Sequence, residues 1–201
     1  MRSQVNPVEK IIEAKKLANH KGDPLHGTCF LATTQYDKSP HVRAMQLYDL
    51  VDGALFLLIN DTSPKWEQLT SSASYEALIY LPSVSMQARF CGAFFMAEKR
   101  IAEKYWTQVP LRFKKLDYFH SMFLDQSSKQ FDEKKFYENM IFITETYKDN
   151  PNLALPDHVK GVYLVPTEIE IWMDTKKGDE MPIRLLYIVK DNEWQEQLLV
   201  P

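Results

Sequence analysis

The chain has 201 residues, 45% hydrophobic, 12% aromatic and 25% charged, enough apolar material for a sizeable core and too much for wholesale disorder. Its 24 Lys and Arg against 27 Asp and Glu leave a formal charge of −3, so no overall positive field draws it to a nucleic-acid backbone. No apolar run approaches the roughly 18–20 residues of a membrane span, and the start of the chain passes into charged Glu9, Lys10 and Glu13 where a signal peptide would be apolar. The expectation is a single cytoplasmic domain over residues 1–201, with neither a membrane nor a nucleic acid as partner.

Asn6-Pro7-Val8-Glu9 places a capping side chain, a first-turn proline and an acid at the start of a helix predicted to run to about Asn19. This helical arm ends by residue 26, Gly22-Asp23-Pro24 having broken the helix. From Gly27 the pattern becomes β-rich: Thr28–Thr34 and His41–Leu47 flank the turn-forming Tyr36-Asp37-Lys38-Ser39-Pro40 as a hairpin. A second tight turn at Val51-Asp52-Gly53 leads into Ala54–Ile59, apolar on successive residues as in a strand buried on both faces. A short helix from Ser63 to about Ser72 precedes two more strands, Tyr75–Leu81 and Met86–Met96, separated by Pro82-Ser83-Val84-Ser85. Residues 97–150 read as a helical insertion, charged and aromatic. Strands resume at Gly161–Val165, Glu168–Met173, Ile183–Val189 and Trp194–Val200. Strands at both ends of the chain with helices between them predict a mainly β fold, an antiparallel barrel closed or nearly closed, with peripheral helices. Cys29 and Cys91 both lie in apolar runs and read as buried free thiols.

Four places carry charge or polarity where a strand or helix end would not call for it. Arg43 shares a strand face with His41, Met45 and Leu47, which leaves a carboxylate partner, an escape to water, a bound phosphate or an electron-rich ring to account for its guanidinium. Ser63-Pro64-Lys65 opens the short helix with a capping hydroxyl, free N–H groups and an ammonium, the elements of a small phosphate cradle or of an ordinary capped helix. Gln87 and Arg89 share a face of an otherwise apolar strand, and need partners if that face is covered. A hairpin from Trp172 to Arg184 would bring an indole beside a guanidinium. His20, His26, His41, His120 and His158 show no metal-ligand spacing, no nucleophile signature is present, and six dispersed glycines form no nucleotide loop. No residue is singled out as catalytic, and no metal is expected.

Taken in order, these segments resemble the pyridoxine (pyridoxamine) 5′-phosphate oxidase family, homodimeric flavoproteins that bind FMN in a split β-barrel at the subunit interface. Phe30–Thr34 with Ser39-Pro40-His41-Val42-Arg43 is similar to the family's opening hairpin, Ser63-Pro64-Lys65 to its Ser-Arg-Lys phosphate segment, and Gln87 with Gly92 to a flavin-contacting strand. Gln126-Ser127-Ser128 resembles a segment that reaches the FMN phosphate across the dimer, and Ile169-Glu170-Ile171-Trp172 followed by Arg184 resembles the C-terminal signature. The resemblance implies that Arg43, Ala44, Met45, Gln46, Leu58, Ser63, Pro64, Lys65, Gln87, Gln126, Ser127, Trp172 and Arg184 contact FMN, and that Tyr48 and Tyr105 fall at substrate positions. It also implies departures. The family's substrate-phosphate lysine falls at Tyr48 and an arginine at Val109, and the Arg and His that face the substrate ring give way to the stretch from Glu180 through Pro182. The function implied is an FMN-dependent oxidoreductase acting on a small molecule. Two alternatives stay open: a true B6-phosphate oxidase using Arg112, Lys114 or Lys176 as substitutes, and a non-catalytic protein that binds flavin or another planar anion.

Overall fold

The computed structural model describes residues 6–72, 74–129, 131–148, 150, 152–174 and 180–201. Helix α1 (Pro7–His20) is followed by strands β1 (Thr28–Thr34), β2 (Pro40–Gln46), β3 (Asp49–Val51) and β4 (Ala54–Asn60), then helix α2 (Pro64–Ser72) and strands β5 (Tyr75–Leu81) and β6 (Met86–Met96). Helices α3 (Lys99–Trp106), α4 (Leu111–Met122) and α5 (Glu133–Thr146) come next, before strands β7 (Val159–Met173), β8 (Ile183–Lys190) and β9 (Glu193–Leu199). The strands form one sheet along the path β2-β1-β5-β6-β7-β4-β3, with β8 added to β7 and β9 to β8. Every pairing whose register is described is antiparallel.

The chain divides into two compact units. The first comprises residues up to Leu57, Ser72–Phe95 and Tyr163–Pro201; the second comprises Leu58–Ser71 and Met96–Val162. In the first, alternation along β1 turns Cys29, Leu31 and Thr33 inward, while β4 is buried along nearly its whole length, as its uninterrupted apolar run requires. The β3–β4 turn holds Asp52 and Gly53 at φ 49° and 87°, the left-handed pair that a tight antiparallel connection needs. Helix α1 starts at Asn6, whose side chain accepts from the Val8 N–H at 3.0 Å, and buries Val8, Ile11 and Ala18. Its Lys10 ammonium donates to the Tyr187 hydroxyl at 2.7 Å and pairs with Glu196 at 3.3 Å, which clasps α1 to β8 and β9.

Two strands expected around Pro166 are one, β7. The chain stays extended there while its inward phase slips, from Val162, Leu164 and Pro166 to Ile169 and Ile171, with Thr167 and Glu168 exposed between. Opposite this slip sits Gly92 of β6. A Cβ at Gly92 would lie 2.8 Å from both the Pro166 Cα and the Thr167 N and would also meet the Val165 carbonyl oxygen, so only glycine lets the two backbones pass. Cys29 is buried as expected, but Cys91 is exposed. It neighbours Phe90, which points into the core, so the same alternation sends Cys91 outward.

In the second unit α4 and α5 pack through an edge-to-face contact of Phe119 on Phe136 with ring centres 5.0 Å apart. Trp106 of α3 donates its indole N–H to the Leu153 carbonyl at 2.7 Å. Among the described residues, no helix is long and apolar enough to cross a membrane.

Candidate functional site

In the first unit the sheet sorts the sequence candidates onto its two faces. Arg43 of β2 lies directly opposite Leu31 of β1, Leu31 opposite Ala77 of β5, and Ala77 opposite Phe90 of β6. Directly opposed residues share a face, and Leu31, Ala77 and Phe90 are fully buried, so Arg43 stands on the inner face. There its Nη1 donates to the Leu31 carbonyl at 3.3 Å and to the buried Thr33 hydroxyl. Burial lowers the affinity of this guanidinium for its proton. Met45 is half-buried beside it, whereas Ala44 and Gln46 point the other way; Gln46 donates to the Gly27 carbonyl at 2.9 Å. Tyr48 follows the strand, half-buried, with its N–H on the Phe56 carbonyl at 3.1 Å.

The outer face carries Gln87, Arg89, Trp172 and Arg184. Gln87 and Arg89 alternate with the buried Met86, Ala88 and Phe90. On β7 Trp172 and Glu170 alternate with Ile169 and Ile171, and Trp172 lies directly opposite Arg184 of β8, the pairing expected of the hairpin. Arg89 meets the same group through Glu170, at 3.4 Å. Thus Gln87, Trp172 and Arg184 are brought together on one surface, and Arg43 is on the other side of that sheet. Residues 175–179, with the candidate substitute Lys176, lie outside the described residues. Glu180 is exposed and Pro182 half-buried.

In the second unit the turn from Asn60 to Lys65 is built on hydrogen bonds to Asn60. Its Oδ1 accepts from the Thr62 N–H at 2.9 Å and the Thr62 hydroxyl at 2.8 Å. Ser63, expected to cap α2 with its hydroxyl, is buried, and its Oγ donates back to the Asn60 carbonyl at 2.6 Å. The same carbonyl accepts the Ser63 N–H at 3.2 Å, so the tight Asn60–Ser63 turn offers the hydroxyl a local backbone acceptor. Lys65 projects from the first turn of α2, beyond exposed Pro64, and donates to Gln126 Oε1 at 2.7 Å. The Gln126 N–H donates to the Thr62 hydroxyl at 3.3 Å. The lysine and the Gln-Ser segment therefore meet within one chain. Ser127 is exposed in the left-handed region at φ 65°, a conformation that costs a non-glycine residue energy and is concentrated at ligand sites. Leu58 is half-buried on β4.

Behind the turn lies a polar cluster that the sequence did not flag. Burial pushes the Asp117 carboxyl of α4 above its usual range, against the opposing pull of His120, His158, Asn60 and Lys65. His158 Nε2 is buried without a hydrogen-bond partner among the described residues, and the Asn60 amide acts on the Asp117 carboxyl. The signal available in the sequence was a lone aspartate among apolar neighbours, Leu116-Asp117-Tyr118-Phe119. Tyr105 and Val109 are buried. Of the substitute cations, Arg112 is exposed against the Phe113 ring, and Lys114 is buried with its ammonium 5.6 Å from the Trp106 ring centre. Burial lowers its affinity for a proton.

No family model matches the chain. Among curated proteins it is 24% identical over 171 residues to a pyridoxine/pyridoxamine 5′-phosphate oxidase of Pseudomonas putida (strain W619), covering 85% of this chain and 76% of that one. It is 26% identical over 195 residues to the protein of the same name from Pelagibacter ubique (strain HTCC1062), covering 94% and 86%. Among solved structures, PhzG from Burkholderia lata 383 in complex with tetrahydrophenazine-1-carboxylic acid superposes with a TM-score of 0.86 at 20% identity, covering 100% of this chain and 95% of that one. A pyridoxamine 5′-phosphate oxidase-related, FMN binding protein from Nostoc punctiforme PCC 73102 gives 0.74 at 16% identity, covering 98% and 99%. The two structural likenesses establish the fold as an antiparallel split β-barrel with added helices.

Proposed function

We propose, for a chain that belongs to the pyridoxine/pyridoxamine 5′-phosphate oxidase family, the function of an FMN-binding oxidoreductase whose substrate is a small molecule other than a phosphorylated B6 vitamer. The observation that carries the reading is the assembly of Gln87, Trp172 and Arg184 on one sheet face, with the indole and guanidinium in register. The donor set fits the cofactor. An amide, an indole and a guanidinium suit a planar, hydrogen-bonding ring, and Lys65 held by Gln126 offers an ammonium to a phosphate. When bound, FMN supplies the redox chemistry, and the protein supplies binding, orientation and access. Within the second unit Lys65, Ser127 and the first turn of α2 would hold a phosphate; within the first, Gln87, Trp172 and Arg184 would border a flavin ring.

Arg43 favours a site completed by a second copy. It occupies the inner face while Gln87, Trp172 and Arg184 occupy the outer face of the same sheet, and one planar ligand cannot touch both faces in one protomer. In a homodimer, Arg43 of one protomer joins the outer-face residues of its partner.

The substrate side argues against a phosphorylated B6 compound. Tyr48, the buried Val109, the exposed Glu180 and Pro182 offer no cation where the family has several. Losing a charge-assisted contact costs about 2–5 kcal/mol, so losing several weakens binding by orders of magnitude. The structural neighbour's ligand, a tricyclic carboxylate, belongs in the assay beside pyridoxine 5′-phosphate. The test is a visible absorption spectrum of the purified protein after FMN addition and desalting, followed by turnover of the two compounds. A retained flavin band with little or no pyridoxine 5′-phosphate turnover is the expected result; a colourless protein defeats the cofactor assignment, and brisk turnover of the B6 compound defeats the substrate assignment.

A further inference from the structure

Arg184 does not stand alone on the outer face. Glu170 accepts from its Nε at 3.0 Å and its Nη2 at 3.2 Å, a side-on bidentate bond. The same carboxylate takes Arg89 Nη1 at 3.4 Å, and Arg89 donates its Nε to Glu76 at 2.6 Å. Glu76, Arg89, Glu170 and Arg184 thus form a row of alternating charge across β5, β6, β7 and β8.

The exposures within the row are uneven. The Glu170 side chain is 11% exposed against 35% for Arg184 and 44% for Arg89. A carboxylate that deep in the sheet needs its cations, and two arginines from different strands hold it from either side. The bidentate bond consumes Nε and Nη2 of Arg184 and leaves Nη1, whose two N–H groups point away from the carboxylate. With its fork fixed at one edge, the guanidinium has one direction in which to offer those donors.

We propose that Glu170 is a positioning residue for the cofactor face: it locks Arg184 so that Nη1 is presented to the flavin, with Arg89 and Glu76 bracing Glu170. The inference rests on the reading that Arg184 borders bound FMN and adds how that contact is pre-organised. It also gives Arg89 a role. Its charge is taken up by Glu76 and Glu170, so it braces the row and is not a ligand.

The test is a double-mutant cycle in FMN affinity, with titrations of the unsubstituted protein, Glu170→Ala, Arg184→Ala and the double variant. Glu170→Ala weakens FMN binding by about tenfold, the low end of what loss of an outer-shell partner costs, and Arg184→Ala weakens it at least as much. The double variant is no weaker than Arg184→Ala alone. Glu170→Gln recovers part of the loss, because its amide oxygen still accepts one bond, and the visible bands of bound FMN shift alike in Glu170→Ala and Arg184→Ala. Melting of each apoprotein reports folding; if Glu170→Ala does not fold, Glu170→Gln carries the same cycle. Losses that multiply in the double variant, with FMN binding otherwise intact, overturn the positioning role alone. An unsubstituted protein that binds no FMN overturns the cofactor reading and this role with it.

Discussion

Gly92→Ala tests how tightly β6 and β7 cross. The added methyl would lie 2.8 Å from the Pro166 Cα and from the Thr167 N, and would meet the Val165 carbonyl oxygen. Non-bonded atoms prefer about 3.5–4.0 Å, so the two backbones must part by roughly 1 Å, and neither side has a flexible side chain that could give way. Overpacking costs about 1–3 kcal/mol, and each ladder hydrogen bond lost in the separation adds about 1 kcal/mol. A gain of about 0.4–1 kcal/mol from stiffening the unfolded chain offsets part of this. With one ladder bond lost, the net expectation is a loss of about 1–4 kcal/mol, or about 2–16 °C in melting temperature for a chain of this size. Urea denaturation followed by tryptophan fluorescence measures it. Gly22→Ala is the control, since Gly22 has φ 71° but nothing within 4 Å, and its cost, about 1 kcal/mol, comes from backbone conformation alone. A Gly92→Ala variant within about 0.5 kcal/mol of the parent, the range of an ordinary surface change, would refute the close-crossing argument.

Lys65→Ala is expected to weaken FMN retention by about 10–150-fold, the range for a lost hydrogen bond to a charged group, and Tyr105→Phe to leave it nearly unchanged; equal retention after desalting counts against the phosphate role of Lys65. A thiol reagent applied to the native protein should modify Cys91 and spare Cys29, whose thiol burial pushes up to about 12, and mass spectrometry showing two adducts before denaturation would contradict that. Asp117→Asn should stabilise the protein at neutral pH. Because burial raises the folded-state carboxyl, folding is favoured while it is protonated and loses that support as pH rises from the ordinary carboxylate range through the raised value. Melting curves between about pH 4 and 7 should therefore show a smaller decline for Asp117→Asn than for the parent, and an unchanged slope would rule the carboxyl out as its cause.

Most of the sheet was legible because period-two alternation is a local signal. β1, β2, β5 and β6 follow it, and β4 declares its double burial by an unbroken apolar run. The break at Pro166 misled, since a proline and a change of inward phase look like a strand end, while the extended backbone continues past them to pair with β8. Cys91 misled for a related reason: an apolar run says that a strand is buried but not which of its faces is. Arg43, Lys65, Trp172 and Arg184 were visible as charges or rings in unexpected company. Their partners were not, because Thr33, Gln126 and Glu170 are ordinary residues on strands and loops, and Gln126 is distant in sequence from the lysine it meets. The burial of Asp117 and the unpartnered nitrogen of His158 depend on tertiary packing, and no spacing rule finds them.

The opposite placement of Arg43 and the Trp172–Arg184 pair has a genetic corollary. In the homodimer proposed above, each site would draw its inner-face arginine from one protomer and its outer-face residues from the other. An Arg43→Ala chain and a Trp172→Ala chain, each defective in its own homodimer, would then complement when co-expressed, because a mixed dimer concentrates both lesions in one site and leaves the other whole. Restored flavin in the mixed population, at a level neither parent reaches, would map the two faces onto separate chains without any structure of the complex.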